Sequence, residues 1–237
     1  MKSLLALLVM MSFFACSSSN SDSKNQMGDT KRTLKYLALG DSYTIGEGVV
    51  EEDRYPNQLV KRLNEELNLG VNPPIIIAKT GWTVDELETE INDSKNIDPP
   101  YDLVTLLIGV NNQYRGRSVE DFKIEFEQIL LRAIGFAGNL PDHVVVLSIP
   151  DWGVTPFAVS EETDQLKVAS EINAYNTAKK EVCKQFGVFY IDITANYRTV
   201  GAQPEMVVED KLHPSGLVYA FWADKLYDKV KSLNLKP

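Results

Sequence analysis

Apolar and polar positions alternate along this chain in two rhythms. Five short runs are almost continuously apolar: "LKYLAL" (34–39), "PIIIA" (74–78), "DLVTLLIG" (102–109), "HVVVLSIP" (143–150) and "VFYIDIT" (188–194). Unbroken runs of this length suit strands covered on both faces, as in a parallel sheet. Between them the apolar positions recur at helical spacing. These stretches are "YPNQLVKRLNEELN" (55–68), "TVDELETEIN" (83–92), "SVEDFKIEFEQILLRAIGF" (118–136), "QLKVASEINAYNTAKKEVCKQF" (165–186) and "PSGLVYAFWADKLYDKVKSL" (214–233). Pro56 fits a first helical turn, and Ser118 and Asp121 sit at capping-box spacing. Strand followed by helix, repeated through the chain, predicts a doubly wound α/β fold: a three-layer α/β/α sandwich around a five-stranded parallel sheet. No linker or repeat interrupts residues 34–237, so one domain is expected there.

The amino terminus follows neither rhythm. Lys2 precedes an apolar run from Leu4 to Ala15 that only Ser12 interrupts. The run is shorter than the roughly 20 residues of a membrane span and fits a secretory signal over residues 1–15. It ends "FFAC", and this resembles a bacterial lipoprotein signal in which Cys16 becomes the lipidated first residue, although Phe13 stands where leucine is usual. Residues 16–33 are polar and aperiodic, and read as a flexible tether with an end-to-end distance on the order of 20–25 Å. The expectation is an exported domain, anchored by lipid to the membrane of the cell envelope. The other cysteine, Cys183, reads as a small apolar residue on a helix, so no intramolecular disulfide is expected if Cys16 is lipidated.

Composition narrows the chemistry. The formal net charge is −9, which disfavours a nucleic-acid partner. His and Cys number two each, with no cluster to hold a metal, so neither metal nor cofactor is expected.

Sheets of this class bind ligands beyond the carboxyl ends of their strands, and four stretches after those ends carry candidate chemistry. "GDSYTIGEG" puts Ser42 at a strand-to-helix turn, as a nucleophile or as part of a cap. Its spacing matches neither G-x-S-x-G nor a phosphate-binding glycine motif. "AKTGWT" offers Gly81, whose backbone N–H is open to a ligand or simply makes a tight turn. "IGVNNQYRG" offers Asn111, an amide donor or a turn former. In "EDKLHPSG", Pro214 keeps His213 out of the last helix, which it is expected to start, and Asp210 can curl back to the imidazole. His143, at the start of a strand, lies at the wrong edge.

In this order the four blocks resemble those of the GDSL or SGNH hydrolases, whose fold is flavodoxin-like, and the resemblance spans nearly the whole domain from Leu34 onward. It implies that Ser42 is the nucleophile, His213 the general base and Asp210 its orienting partner. The implied oxyanion hole combines the backbone N–H groups of Ser42 and Gly81 with the Asn111 side chain. Two positions depart from the family pattern: Tyr43 replaces leucine, and Asn112 replaces the usual aspartate, which puts the local support of Asn111 in question. Tyr43, Trp82, Tyr114, Trp152 and Phe157 follow strands and are candidates to contact substrate, or simply pack the rim. The expectation is a serine esterase acting on short-chain or carbohydrate O-acyl esters. The alternatives are a lysophospholipase or thioesterase, and a non-catalytic glycan- or lipid-binding lipoprotein.

Overall fold

The computed structural model describes residues 32–233 and residue 235. The signal, Cys16 and the tether up to residue 31 lie outside them. The strands are β1 (Tyr36–Gly40), β2 (Ile75–Ala78), β3 (Leu103–Leu107), β4 (Val144–Leu147) and β5 (Phe189–Ile191). They form one parallel sheet in the order β2-β1-β3-β4-β5. Every residue of the three central strands is buried, whereas most residues at the two edges are only partly covered. This is why the central runs read as continuously apolar.

In chain order the helices are α1 (Ser42–Ile45), α2 (Tyr55–Leu67), α3 (Val84–Asp93), α4 (Val110–Tyr114), α5 (Val119–Phe136), α6 (Pro156–Ser160), α7 (Gln165–Phe186), α8 (Thr194–Val200) and α9 (Gly216–Lys231). α2 packs against α9, while α5 packs against α3 and α7. These are the two helical layers that right-handed crossovers produce. Pro56 lies in the first turn of α2, and the Ser118 hydroxyl caps α5 by accepting from the Asp121 N–H. Thr83 and Glu86 form a reciprocal capping box at the start of α3.

One sequence expectation needs correcting, and three short helices add to the pattern. Pro214 does not start the last helix: it pairs in an antiparallel bridge with Val207, and α9 begins at Gly216 after the N-cap Ser215. Residues 110–114, 156–160 and 194–200, to which the sequence pattern assigns no element, are short helices. At five to seven residues they are too brief to show a helical period.

The strand order sets the site. From β1 the chain winds outward to β2, then crosses back to lay β3 on the other side of β1. The crevice where winding reverses therefore lies between the carboxyl ends of β1 and β3, where such sheets hold ligands. Ser42 follows β1 and Asn111 follows β3.

Candidate active site

Ser42 is the first residue of α1, so its backbone N–H has no partner within the helix. Asp41 caps α1 by accepting from the Tyr43 N–H at 3.0 Å. Burial pushes the Asp41 carboxyl up to about 7, against the pull of that hydrogen bond and of Lys179. Lys179, on α7, is wholly buried, and burial pulls its ammonium down to about 7. Its Nζ donates to the carbonyls of Ile108 at 3.0 Å and Leu147 at 2.8 Å, joining the carboxyl ends of β3 and β4.

His213 sits in a loop fixed at several points. Asp210 Oδ2 lies 2.6 Å from His213 Nδ1, and Oδ1 accepts from the backbone N–H groups of Leu212 at 2.8 Å and His213 at 2.9 Å. Burial opposes ionisation of Asp210, but these hydrogen bonds together outweigh it and hold the pKa below its usual value. The loop carbonyls are pinned in turn: Phe157 N donates to Lys211, the Tyr197 hydroxyl to Leu212 and Val208 N to His213. With Nδ1 engaged by the carboxylate, Nε2 is left to exchange a proton. The Tyr43 ring packs 5.4 Å from the imidazole, centroid to centroid.

Gly81 lies in the turn after β2 with φ +88°, a conformation that L side chains rarely adopt, and the space a Cβ would occupy is open. The turn thus needs glycine, and no hydrogen bond from its N–H is found among the described residues. Asn111, in α4, donates from Nδ2 to the Trp82 carbonyl at 2.9 Å. Asn111 also lines the cavity shared with Ser42 and His213. Gly109 before it has φ +120°, and a Cβ there would meet the Phe122 ring at 2.7 Å. Its role is close packing rather than access.

Asn112 points away from the cavity. It is fully buried, accepts from Val84 N at 3.1 Å and donates to Glu125 Oε2 at 2.9 Å, tying α4 to α3 and α5. An ionised aspartate would face the Glu125 carboxylate with no N–H to donate. The amide at this position thus matches its neighbour.

Ser42, Tyr43, Gly81, Asn111 and His213 line one cavity of about 240 Å³ with Thr80, Val110, Tyr114, Trp152, Phe157 and Leu212. No side-chain hydrogen bond joins Ser42 to His213 among the described residues. Trp82 is not part of the lining: its side chain packs against the core, and its carbonyl receives Asn111. Tyr114 and Trp152 meet edge to face at 5.4 Å. The Trp152 indole donates to Gln113 Oε1 at 2.9 Å, and Gln113 donates to Glu171 at 2.7 Å. Sequence reasoning passed over Gln113, Glu171 and Lys179, because their contacts join segments tens of residues apart and leave no local pattern.

A family model described as GDSL-like lipase/acylhydrolase matches residues 38–221. The chain belongs to that family. As a GDSL-like protein it is a carboxylic ester hydrolase. The spore germination lipase LipC of Bacillus licheniformis is 25% identical over 214 residues, covering 82% of this chain and 95% of LipC. Among solved structures, a lipase/acylhydrolase from Enterococcus faecalis superposes with a TM-score of 0.65 at 22% identity, covering 86% of this chain and 98% of its own. An acetylxylan esterase from Geobacillus stearothermophilus superposes with a TM-score of 0.66 at 16% identity, covering 84% and 95%. At these identities the superpositions show a shared fold.

Proposed function

We propose that this GDSL-like hydrolase cleaves esters through an acyl-enzyme on Ser42. The observation that carries the reading is the shared cavity, which Ser42, Gly81, Asn111 and His213 enter from four separate segments. His213 Nε2 takes the Ser42 Oγ proton as Oγ attacks the ester carbonyl carbon. The oxyanion that forms is held by the N–H groups of Ser42 and Gly81 and by Asn111 Nδ2. Asp210 stabilises the imidazolium without accepting its proton. The intermediate collapses, the C–O bond breaks, and the alcohol leaves with the proton from His213. Water then gives a proton to the same nitrogen and attacks the acyl carbon; the bond from that carbon to Oγ breaks, His213 returns the proton to Ser42 Oγ, and the acid leaves.

The preferred substrates are short-chain or carbohydrate O-acyl esters. A cavity of about 240 Å³ falls below the roughly 300–1,000 Å³ usual for drug-sized ligands, and aromatic rings at its wall suit a sugar face. The structural likeness to an acetylxylan esterase agrees. A lipid ester is the second reading, favoured by the relation to LipC and by the apolar side chains of Val110, Leu212 and Phe157. Hydrolysis of p-nitrophenyl esters from acetyl to palmitoyl separates the two. The acetyl ester is expected to turn over fastest, and Ser42→Ala should abolish the rate. A maximum at long chains transfers the assignment to lipids, and a rate unchanged by Ser42→Ala ends the Ser42 mechanism.

A further inference from the structure

The turn that presents Gly81 is held from outside itself. Trp82 N donates to the Lys79 carbonyl at 3.2 Å, closing a four-residue turn with Gly81 at its third position. Glycine there has wide conformational freedom, so the direction of its N–H is not set by the residue alone. Two side chains reach the turn from the block after β3. Asn111 Nδ2 donates to the Trp82 carbonyl at 2.9 Å, and Arg115 Nη2 donates to the Gly81 carbonyl at 2.7 Å. Four residues apart, at the start and just past the end of α4, they hold successive carbonyls of one turn. The Arg115 fork is itself fixed, because Nη1 pairs with Glu86 at 3.0 Å while the other Glu86 oxygen accepts from Thr83 N at 2.9 Å in the α3 capping box.

We propose that Arg115 is a positioning residue for the oxyanion hole. Its guanidinium fixes the Gly81 carbonyl and so the Gly81–Trp82 peptide plane; with the Trp82 carbonyl held by Asn111, this restrains the turn about Gly81 and limits how far its own N–H, in the preceding Thr80–Gly81 plane, can swing from the cavity. The inference rests on the oxyanion role assigned to Gly81 above. Arg115 touches no reacting atom, and its side chain is 43% exposed, so an Arg115–Glu86 ion pair adds little to stability by itself. A planar fork that donates to a carbonyl and a carboxylate together is a geometry lysine does not reproduce.

The test compares Arg115→Gln with Arg132→Gln. Arg132 also binds α3, through Glu88 and Asn92, but does not touch the turn. Arg115→Gln should lower kcat on p-nitrophenyl acetate by roughly tenfold to a hundredfold, the scale of a misplaced catalytic group. KM should stay within about twofold, because the lost support acts in the transition state. The melting temperature should move by no more than about 2 °C. Amide exchange at Trp82 should accelerate as the turn loosens, while Arg132→Gln should match the wild type throughout. An unchanged kcat with unchanged Trp82 exchange would make Arg115 a surface ion pair and overturn the proposal. An equal fall in kcat in Arg132→Gln would overturn it too, by assigning the effect to α3 in general. Should the wild type hydrolyse no ester, the esterase reading fails, and Trp82 exchange alone still decides whether Arg115 holds the turn.

Discussion

Asn112 shows what a single residue can hide. Its sequence neighbour Asn111 lines the cavity, and a departure from the family pattern beside it looks like a change in the site. The structure turns the Asn112 amide the other way, against Val84 and Glu125. Burial raises the Glu125 pKa, with Arg117 pulling against it and Asp85 adding to it. Asn112→Asp would set a second carboxylate against this one. At low pH the two can share a proton, and as pH rises both must ionise in a partly closed space. The variant should therefore lose about 2 kcal/mol near neutral pH and recover part of that loss on acidification. Urea unfolding at two pH values reads this directly, and a loss that grows towards acid would refute the account. Ser42, Gly81, Asn111 and His213 were legible in the sequence because each stands beside a strand end or a proline. Gln113 and Arg115 were not, because their partners Trp152 and Gly81 are distant in sequence.

At the scale of elements, strands and long helices were easiest to read. Burial on both sides leaves β1, β3 and β4 no polar face, and the pattern located each of them to within a few residues. The carboxyl terminus was harder. Placing Pro214 at the helix start followed from its ring chemistry, but the backbone first pairs with Val207 and only then turns into α9. That bridge helps to hold His213 where Asp210 reaches it. α7 carries a further feature that its apolar stripe did not disclose: Lys179 is fully buried, with Nζ over the Phe126 ring and Cys183 and Asp41 as the groups that favour its charge. Its folded pKa of about 7 lies below the ordinary 10.5 of a lysine, so the unfolded chain binds more protons between those values. Its contribution to stability therefore rises with pH across that window. The stability advantage of wild type over Lys179→Met should widen between about pH 7 and 10. Urea midpoints at both pH values check it, and a constant or shrinking gap contradicts the account of an amine whose charged form burial disfavours.

For the whole molecule, the reversal of winding at β1 and β3 gathers residues from both ends of the domain into one crevice. The order of blocks in the sequence conveyed that arrangement, and the size and aromatic wall of the cavity came only with the fold. The anchor is a separate proposal about the amino terminus: Cys16 joins the catalytic domain to a membrane and brings it close to envelope glycans or lipids. Cys16→Ser should move the protein from the membrane fraction to the soluble fraction, and unchanged fractionation rejects the anchor.

The central claim is that Ser42 is a nucleophile activated by His213. Mass spectrometry of the protein after incubation with a p-nitrophenyl alkylphosphonate tests it most directly. The account predicts a single adduct on the peptide containing Ser42, absent in Ser42→Ala and formed far more slowly in His213→Ala. An adduct on another residue, or one that forms as fast without His213, would contradict it.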